Sequence, residues 1–365
     1  MESSVIVIGG GISGMTAAGM LSRMGLNVTL LERENETGGH VAGWDRLFPD
    51  RKKASEVLDF AKADMKGVRQ VTGVTVTGIN RHDKGFTLTT TIPDPASRIT
   101  HPASDIPYPA SRIPSTFSAS AILLATGFDL FEARKKEEYG YGIYNNVITS
   151  ADLEEKFRAG KGILTSEGKV PARIGFVHCV GSRDEKVGNL YCSKVCCVTG
   201  VKQAMEMKEL YPDSEVFNFY MDLRMSDRGF EELYYEAQQK FGISFIRGRL
   251  SECAENADSS ILVKTEDTLS GRPLKMSVDL LILLTGFVPS KGTEPITRML
   301  GLSTGSDGFI NPADVHTRNN SSGIPGVFLT GAVKGPITIS GAFADARAAA
   351  LQLSEYIKAT SPAND

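Results

Sequence analysis

The segment Gly9-Gly10-Gly11-Ile12-Ser13-Gly14 constrains this 365-residue chain more than any other, because of what stands on either side of it. Before it runs the apolar stretch Val5-Ile6-Val7-Ile8, and after it an amphipathic run from Met15 to Met24. A strand that turns through G-x-G-x-x-G into a helix opens a dinucleotide-binding βαβ unit. Gly9 permits the tight turn, Gly11 lets a pyrophosphate approach the backbone, and Gly14 lets helix and strand pack closely. The helix start at Ile12 and Ser13 offers unpaired N–H groups to phosphate. A second apolar run, Val28-Thr29-Leu30-Leu31, ends at Glu32, placed for its carboxylate to accept hydrogen bonds from an adenosine ribose.

NAD and FAD both suit such a unit, and later segments favour FAD. Gly38-Gly39 extends the loop as in many flavoproteins, and Ala125-Thr126-Gly127 resembles their ATG turn. Thr330-Gly331-Ala332 resembles the late strand that meets the flavin ribityl chain, where most such proteins carry Asp in place of Ala332; here the ribityl hydrogen bond falls to other groups. The helix opening at Thr338-Ile339-Ser340 either aims its positive end at the flavin pyrimidine edge or is an ordinary helix start. With Arg33, His40 and Val41 beside the loop, these residues complete the expected FAD-binding set.

The strand-to-glycine pattern recurs at Ala121–Gly127 and Leu280–Gly286, which suggests two related lobes. Ile174–His178, a helix from about Ser193 to Tyr211, and Glu215–Tyr220 form a second strand-helix-strand set. The chain returns at Gly326–Gly331 and ends in an Ala-rich helix from Gly341 to Ile357. Residues 50–66 have helical character, and residues 71–92 alternate as a small antiparallel meander. Prolines and serines from Pro93 to Ser118 predict a long exposed loop. The order predicts an α/β fold of the glutathione/thioredoxin-reductase type: a Rossmann-type FAD domain in two parts, 1–150 and 288–365, with a second α/β lobe, 151–287, inserted between them.

A formal charge of -3 and a pI near 6.0, with Lys and Arg scattered, give no electrostatic footprint for nucleic acid. No stretch reaches the roughly 18 to 20 apolar residues of a spanning helix, and no export signal precedes the first strand, so a cytoplasmic protein without direct membrane insertion is expected.

Four of the five cysteines, Cys179, Cys192, Cys196 and Cys197, fall close together, leaving Cys253 apart as a small buried hydrophobe. In a reducing compartment such a group suggests iron–sulfur or zinc ligation before disulfides. Structural zinc would favour paired C-x-x-C knuckles, which are missing. On a helix Cys192 and Cys196 would sit one turn apart, with Cys197 about 100° away and Cys179 arriving from a strand end. Arg183, Lys194 and the helix N-terminus would offset the negative charge. Ile174–His178 runs into Cys179-Val180-Gly181-Ser182-Arg183 and not into a second glycine fingerprint, so no tight NAD(P)H site is expected.

HCVGSRDEKVGNLYCSKVCCVTGVKQA (178–204), FYMDLR (219–224), FIRGRL (245–250) and the amino-terminal GGGISGMTAA together resemble the A subunit of heterodisulfide reductase and its bacterial relatives. The resemblance covers most of the chain. It implies a [4Fe–4S] cluster on the four cysteines beside the flavin, with Lys202 facing the flavin ring as a catalytic residue. It also implies a homodimer that relays electrons to heterodisulfide-reductase B- and C-like subunits. No ferredoxin-like cysteine run is present, and residues 48–60 lack cysteine. The chain is thus similar to the short bacterial form, with the sulfur-oxidising complex favoured over the quinone-interacting membrane-bound one; a zinc-holding scaffold protein is the rival from another class.

Overall fold

The computed structural model describes residues 4–83, 85–93 and 112–360. The chain divides into two compact units, one of Met1–Val41, Val57–Asp129 and Pro289–Asp365, the other of Ala42–Glu56 and Leu130–Val288.

The first unit is built on a five-stranded parallel sheet in the order Val327–Leu329, Ala121–Leu124, Ser4–Ile8, Asn27–Leu31, Arg69–Val71. Val5–Ile8 and Ala121–Leu124 are buried at every position, as continuous apolar runs in a parallel sheet require. The helix Ile12–Arg23 comes directly after the glycine loop and packs against the long helix Ile339–Thr360. Beside the sheet, Thr75–His82, Gly85–Pro93 and Arg112–Ala119 form an antiparallel meander. The expected loop 93–118 is therefore corrected at both ends. Pro93 lies in one strand and residues 112–118 in the next, with Arg112 opposite Pro93, while residues 94–111 lie outside the described residues. Pro114 is tolerated because its strand is an edge strand, paired on one side only. Ile6, Ile8, Leu124, Phe86, Leu88 and Leu329 share one apolar core.

The second unit has its own five-stranded parallel sheet, in the order Val147–Thr149, Leu280–Thr285, Arg173–Val180, Glu215–Tyr220, Ser244–Arg247. Val177, Phe219, Leu281 and Leu283 lie in its core together with Ile261 and Val263 of a three-stranded antiparallel sheet, Leu250–Glu255, Ile261–Asp267 and Arg272–Val278. The helix Ser150–Ala159 is fixed at its start by a capping box between Thr149 and Asp152. A hairpin of Arg46–Leu47 and Lys52–Lys53 also belongs to this unit. The cysteine-bearing helix runs Cys196–Leu210 and not from Ser193, because Lys194 takes a left-handed conformation (φ 58°) that helix cannot continue. Among the described residues, no helix is long and apolar enough to cross a membrane.

Candidate functional site

The first unit presents a nucleotide cradle at the carboxyl end of its sheet. Gly9 N–H is bonded to Leu31 O at 2.8 Å, which brings the loop between the first two strands. A Cβ at Gly14 would stand 1.8 Å from Gly9 O, so helix and loop approach as only glycine allows. A Cβ at Gly11 would meet nothing within 4 Å; this residue caps the helix Ile12–Arg23 without a side chain, and its open side is where a phosphate fits. Glu32 accepts the N–H groups of Gly10 and Glu34, one at each oxygen. A carboxylate has about four acceptor sites, so bracing the loop leaves acceptors for a ribose. Gly38 N–H reaches Gly10 O at 2.8 Å, and Gly39 lies against Gly11.

The remaining expected residues of this set also lie in the first unit. Val41 is buried; Arg33 is exposed beside Glu34; His40 stacks on Phe128, its Nε2 2.8 Å from Phe128 O. Ala125 N–H bonds Ile8 O at 2.8 Å, Thr126 Oγ1 lies 2.6 Å from Thr293 Oγ1, and Gly127 turns the chain away. Ser13 Oγ presses on Gly331, and Ala332 is buried behind it. Thr338 Oγ1 accepts Gly341 N–H at 3.2 Å, capping the helix that carries Ile339 and Ser340. Asp345, which carries no signal in the sequence, accepts Gly331 N–H at 2.6 Å.

The second unit gathers the thiols. Cys179 stands at the end of its strand with φ 60°, where the ladder to Leu280–Thr285 slips register. Arg183 (φ 52°) and Lys194 (φ 58°) share that left-handed conformation, so three non-glycine residues around the cysteines hold a costly backbone. Cys196 and Cys197 open the helix; Cys192 lies on the preceding loop, less buried, its Sγ accepting Lys194 N–H at 3.3 Å. The neighbouring Cys196 thiol holds Cys179 down to about 7 and Cys197 down to about 4, against the effect of burial, and Cys196 itself is raised well above the usual thiol range. His178 gives Nε2 to Asn218 Oδ1 at 2.8 Å, while its Nδ1 and the buried Ser182 Oγ lack a hydrogen-bond partner. Arg183 pairs with Asp222 at 2.7 Å, and Lys194 is exposed. Among the described residues, no group of three or more His, Cys, Asp or Glu is drawn together as ligands of a single metal ion. Thiolates of a cubane each take a different iron, so buried thiols, a strained backbone and unpaired polar atoms fit a cluster.

Lys202 lies two turns along the same helix and is 1 % exposed. Its Nζ donates to Arg46 O at 3.0 Å and to Glu154 Oε1, and stands 3.1 Å from Glu206 Oε2. Gln203 Nε2 also reaches Glu154 Oε1, at 2.8 Å. A solvated helix lysine is thus ruled out for this position. Burial, opposed by Lys202 and reinforced by Glu154, pushes Glu206 up to about 7. Glu154 and Glu206 carry no local sequence signal, since both read as ordinary helix carboxylates.

Both units have counterparts among known proteins. The family model for an NAD(P)-binding Rossmann-like domain matches residues 7–61. The second of two iron-sulfur A subunits of CoB–CoM heterodisulfide reductase from Methanopyrus kandleri is 34% identical over 421 aligned positions, covering 97% of this chain and 64% of that protein. The A subunit of the H2:CoB–CoM heterodisulfide, ferredoxin reductase of Methanothermobacter thermautotrophicus is 44% identical over 234 residues, 63% of this chain and 36% of its own length. The chain therefore spans between about a third and two thirds of the curated relatives it matches. In fold it is similar to the thioredoxin reductases of T. acidophilum (TM-score 0.65, 19% identity, 99% of this chain and 100% of that one) and Lactococcus lactis (TM-score 0.63, 19% identity, 98% and 100%).

Proposed function

We propose that this chain, a flavoprotein like the A subunit of heterodisulfide reductase over 97% of its length, is an FAD-dependent oxidoreductase that relays electrons within a heterodisulfide-reductase-like complex. FAD would lie on the glycine loop, its pyrophosphate over Gly11 and the start of the helix Ile12–Arg23, its ribose against Glu32, and its flavin end toward the turns at Ala125–Gly127 and Gly331. When bound, it supplies exchange between two-electron and one-electron carriers. Cys179, Cys192, Cys196 and Cys197 would hold a [4Fe–4S] cluster, a one-electron carrier. Lys202 is the residue we assign to the flavin reaction, as a buried cation held in place by Glu154.

The observation that carries this reading is the buried thiol group at the point where the second unit would otherwise repeat the glycine fingerprint. Sulfur chemistry on a partner, B- and C-like subunits as the electron partners, a homodimer, a cytoplasmic setting and a place in dissimilatory sulfur metabolism complete the proposal. Anaerobically purified protein is to be measured for its visible spectrum, iron, zinc and acid-labile sulfide. Flavin bands with about four iron and four sulfide per chain are expected. Zinc in place of iron, or no flavin, would sink the relay and favour a scaffold.

A further inference from the structure

The turn Thr330-Gly331-Ala332 leaves the carboxyl end of the strand Val327–Leu329, the end of a parallel sheet at which ligands bind. A side chain from elsewhere sets its backbone. Asp345, in the helix Ile339–Thr360, accepts Gly331 N–H at 2.6 Å and the Thr330 hydroxyl at 3.0 Å through Oδ2. Through Oδ1 it accepts Lys334 Nζ at 2.7 Å and Asn320 Nδ2 at 2.9 Å. These donors use the roughly four acceptor positions that a carboxylate has. The Lys334 and Asp345 side chains are only 9% and 10% exposed. So deep an ion pair is poorly explained by stability, because the desolvation of both charges offsets their attraction. From the other side, Ser13 Oγ of the glycine-loop helix bears on Gly331. The turn is thus clamped between a residue in the first turn of one helix and a carboxylate that projects from another.

We propose that Asp345 is a positioning residue of the flavin site: it fixes the Gly331 turn in the one conformation that receives the cofactor, and Lys334 balances its charge. The proposal rests on the reading of the first unit as an FAD site. Its acceptor positions being filled, Asp345 acts through the Gly331 backbone and not by touching the flavin. In Asp345→Asn one oxygen becomes an NH2 that can only donate, and it then faces either the Gly331 N–H and Thr330 pair or the Lys334 and Asn320 pair.

The test compares the wild-type chain with Asp345→Asn, Lys334→Met and the double variant. FAD is removed and added back to obtain Kd, the fine structure of the bound flavin bands is recorded, and the flavin-free proteins are melted alongside. A neutral double variant removes the penalty of one unpaired buried charge, so it keeps the question open to measurement should Asp345→Asn fold poorly. Asp345→Asn is expected to weaken FAD binding by about tenfold or more and to blur the bands, the size of a lost hydrogen bond to a charged group. The double variant is expected to melt near the wild type yet bind FAD as weakly as Asp345→Asn. Recovery of wild-type FAD affinity in the double variant would reduce Asp345 to a counter-ion of Lys334 and overturn the proposal. Unchanged affinity in Asp345→Asn, with a wild type that binds FAD, would also overturn it alone; a wild type that takes up no FAD would overturn the FAD reading together with it.

Discussion

A methyl group added at Gly14 would come within 1.8 Å of Gly9 O, whereas one added at Gly11 would meet no atom within 4 Å. The two glycines, three residues apart, therefore answer to different constraints. Gly14→Ala is expected to destabilise the flavin-free protein by about 1–3 kcal/mol, the range of an overpacked core, seen as a lower melting temperature. Gly11→Ala is expected to cost the flavin-free protein no more than about 1 kcal/mol, the difference between Gly and Ala as an N-cap, since its Cβ meets nothing. It should nevertheless weaken FAD binding, because its methyl fills the open side of the loop; equal FAD affinity in the two proteins would remove Gly11 from the cofactor site. The glycine loop was legible in the sequence because each glycine answers a local steric demand between a strand and a helix. Asp345 was not, because its partners Gly331, Lys334 and Asn320 come from other stretches of chain, and a lone carboxylate in an Ala-rich helix carries no pattern.

At the scale of elements, strands were the most legible feature. Val5–Ile8, Ala121–Leu124 and Leu280–Leu284 are apolar at every position because a parallel sheet buries both faces. Two elements misled for physical reasons: Pro114 reads as a loop until its edge position is known, and the cysteine helix loses its first turn to the left-handed Lys194. That second shift moves Cys192 off the helix and onto a loop, which no periodicity predicts. Between helices Ser150–Ala159 and Cys196–Leu210, two carboxylates, Glu154 and Glu206, face the single ammonium of Lys202, with Arg46 beyond them. Burial is the largest cause that raises Glu206 to about 7. A carboxyl group whose folded value lies above its unfolded one favours the native state fully below about 4.5, and that benefit is lost as pH rises through about 7. The loss amounts to about 3 kcal/mol in order of magnitude. Glu206→Gln, which keeps the shape of the protonated acid, should therefore match the wild type in urea unfolding at pH 5 and exceed it at pH 8. A constant difference between the two pH values would remove Glu206 as the titrating group.

At the scale of the whole molecule, each unit carries a five-stranded parallel sheet, yet the two treat the crossover that leaves the central strand differently. In the first unit the strand Ser4–Ile8 passes within a few residues into the helix at Ile12, and the helix N-terminus stands open behind Gly11. In the second, the central strand ends at Val180 and its helix begins only at Cys196. The loop between them is pinned: Asp184, 1% exposed, pairs with Lys136 at 2.7 Å and Arg249 at 2.6 Å, and Ser193 Oγ accepts Phe287 N–H at 2.8 Å. The positive end of that helix falls on the cysteine pair that opens it, where a helix N-terminus helps to hold Cys197 as thiolate. A pyrophosphate would have to displace both the pinned loop and the sulfur atoms. We therefore expect NADH and NADPH, each at about 1 mM, to leave the melting temperature of the protein unchanged and to leave its flavin oxidised, while dithionite bleaches it. A nicotinamide site with a Kd a hundredfold below that concentration would add about 2.7 kcal/mol to stability, a shift of several degrees that calorimetry resolves easily. Such a shift, or bleaching by NADH alone, would mean that the second unit kept the dinucleotide site its sheet architecture allows, and the electrons would then have an entry point on this chain itself.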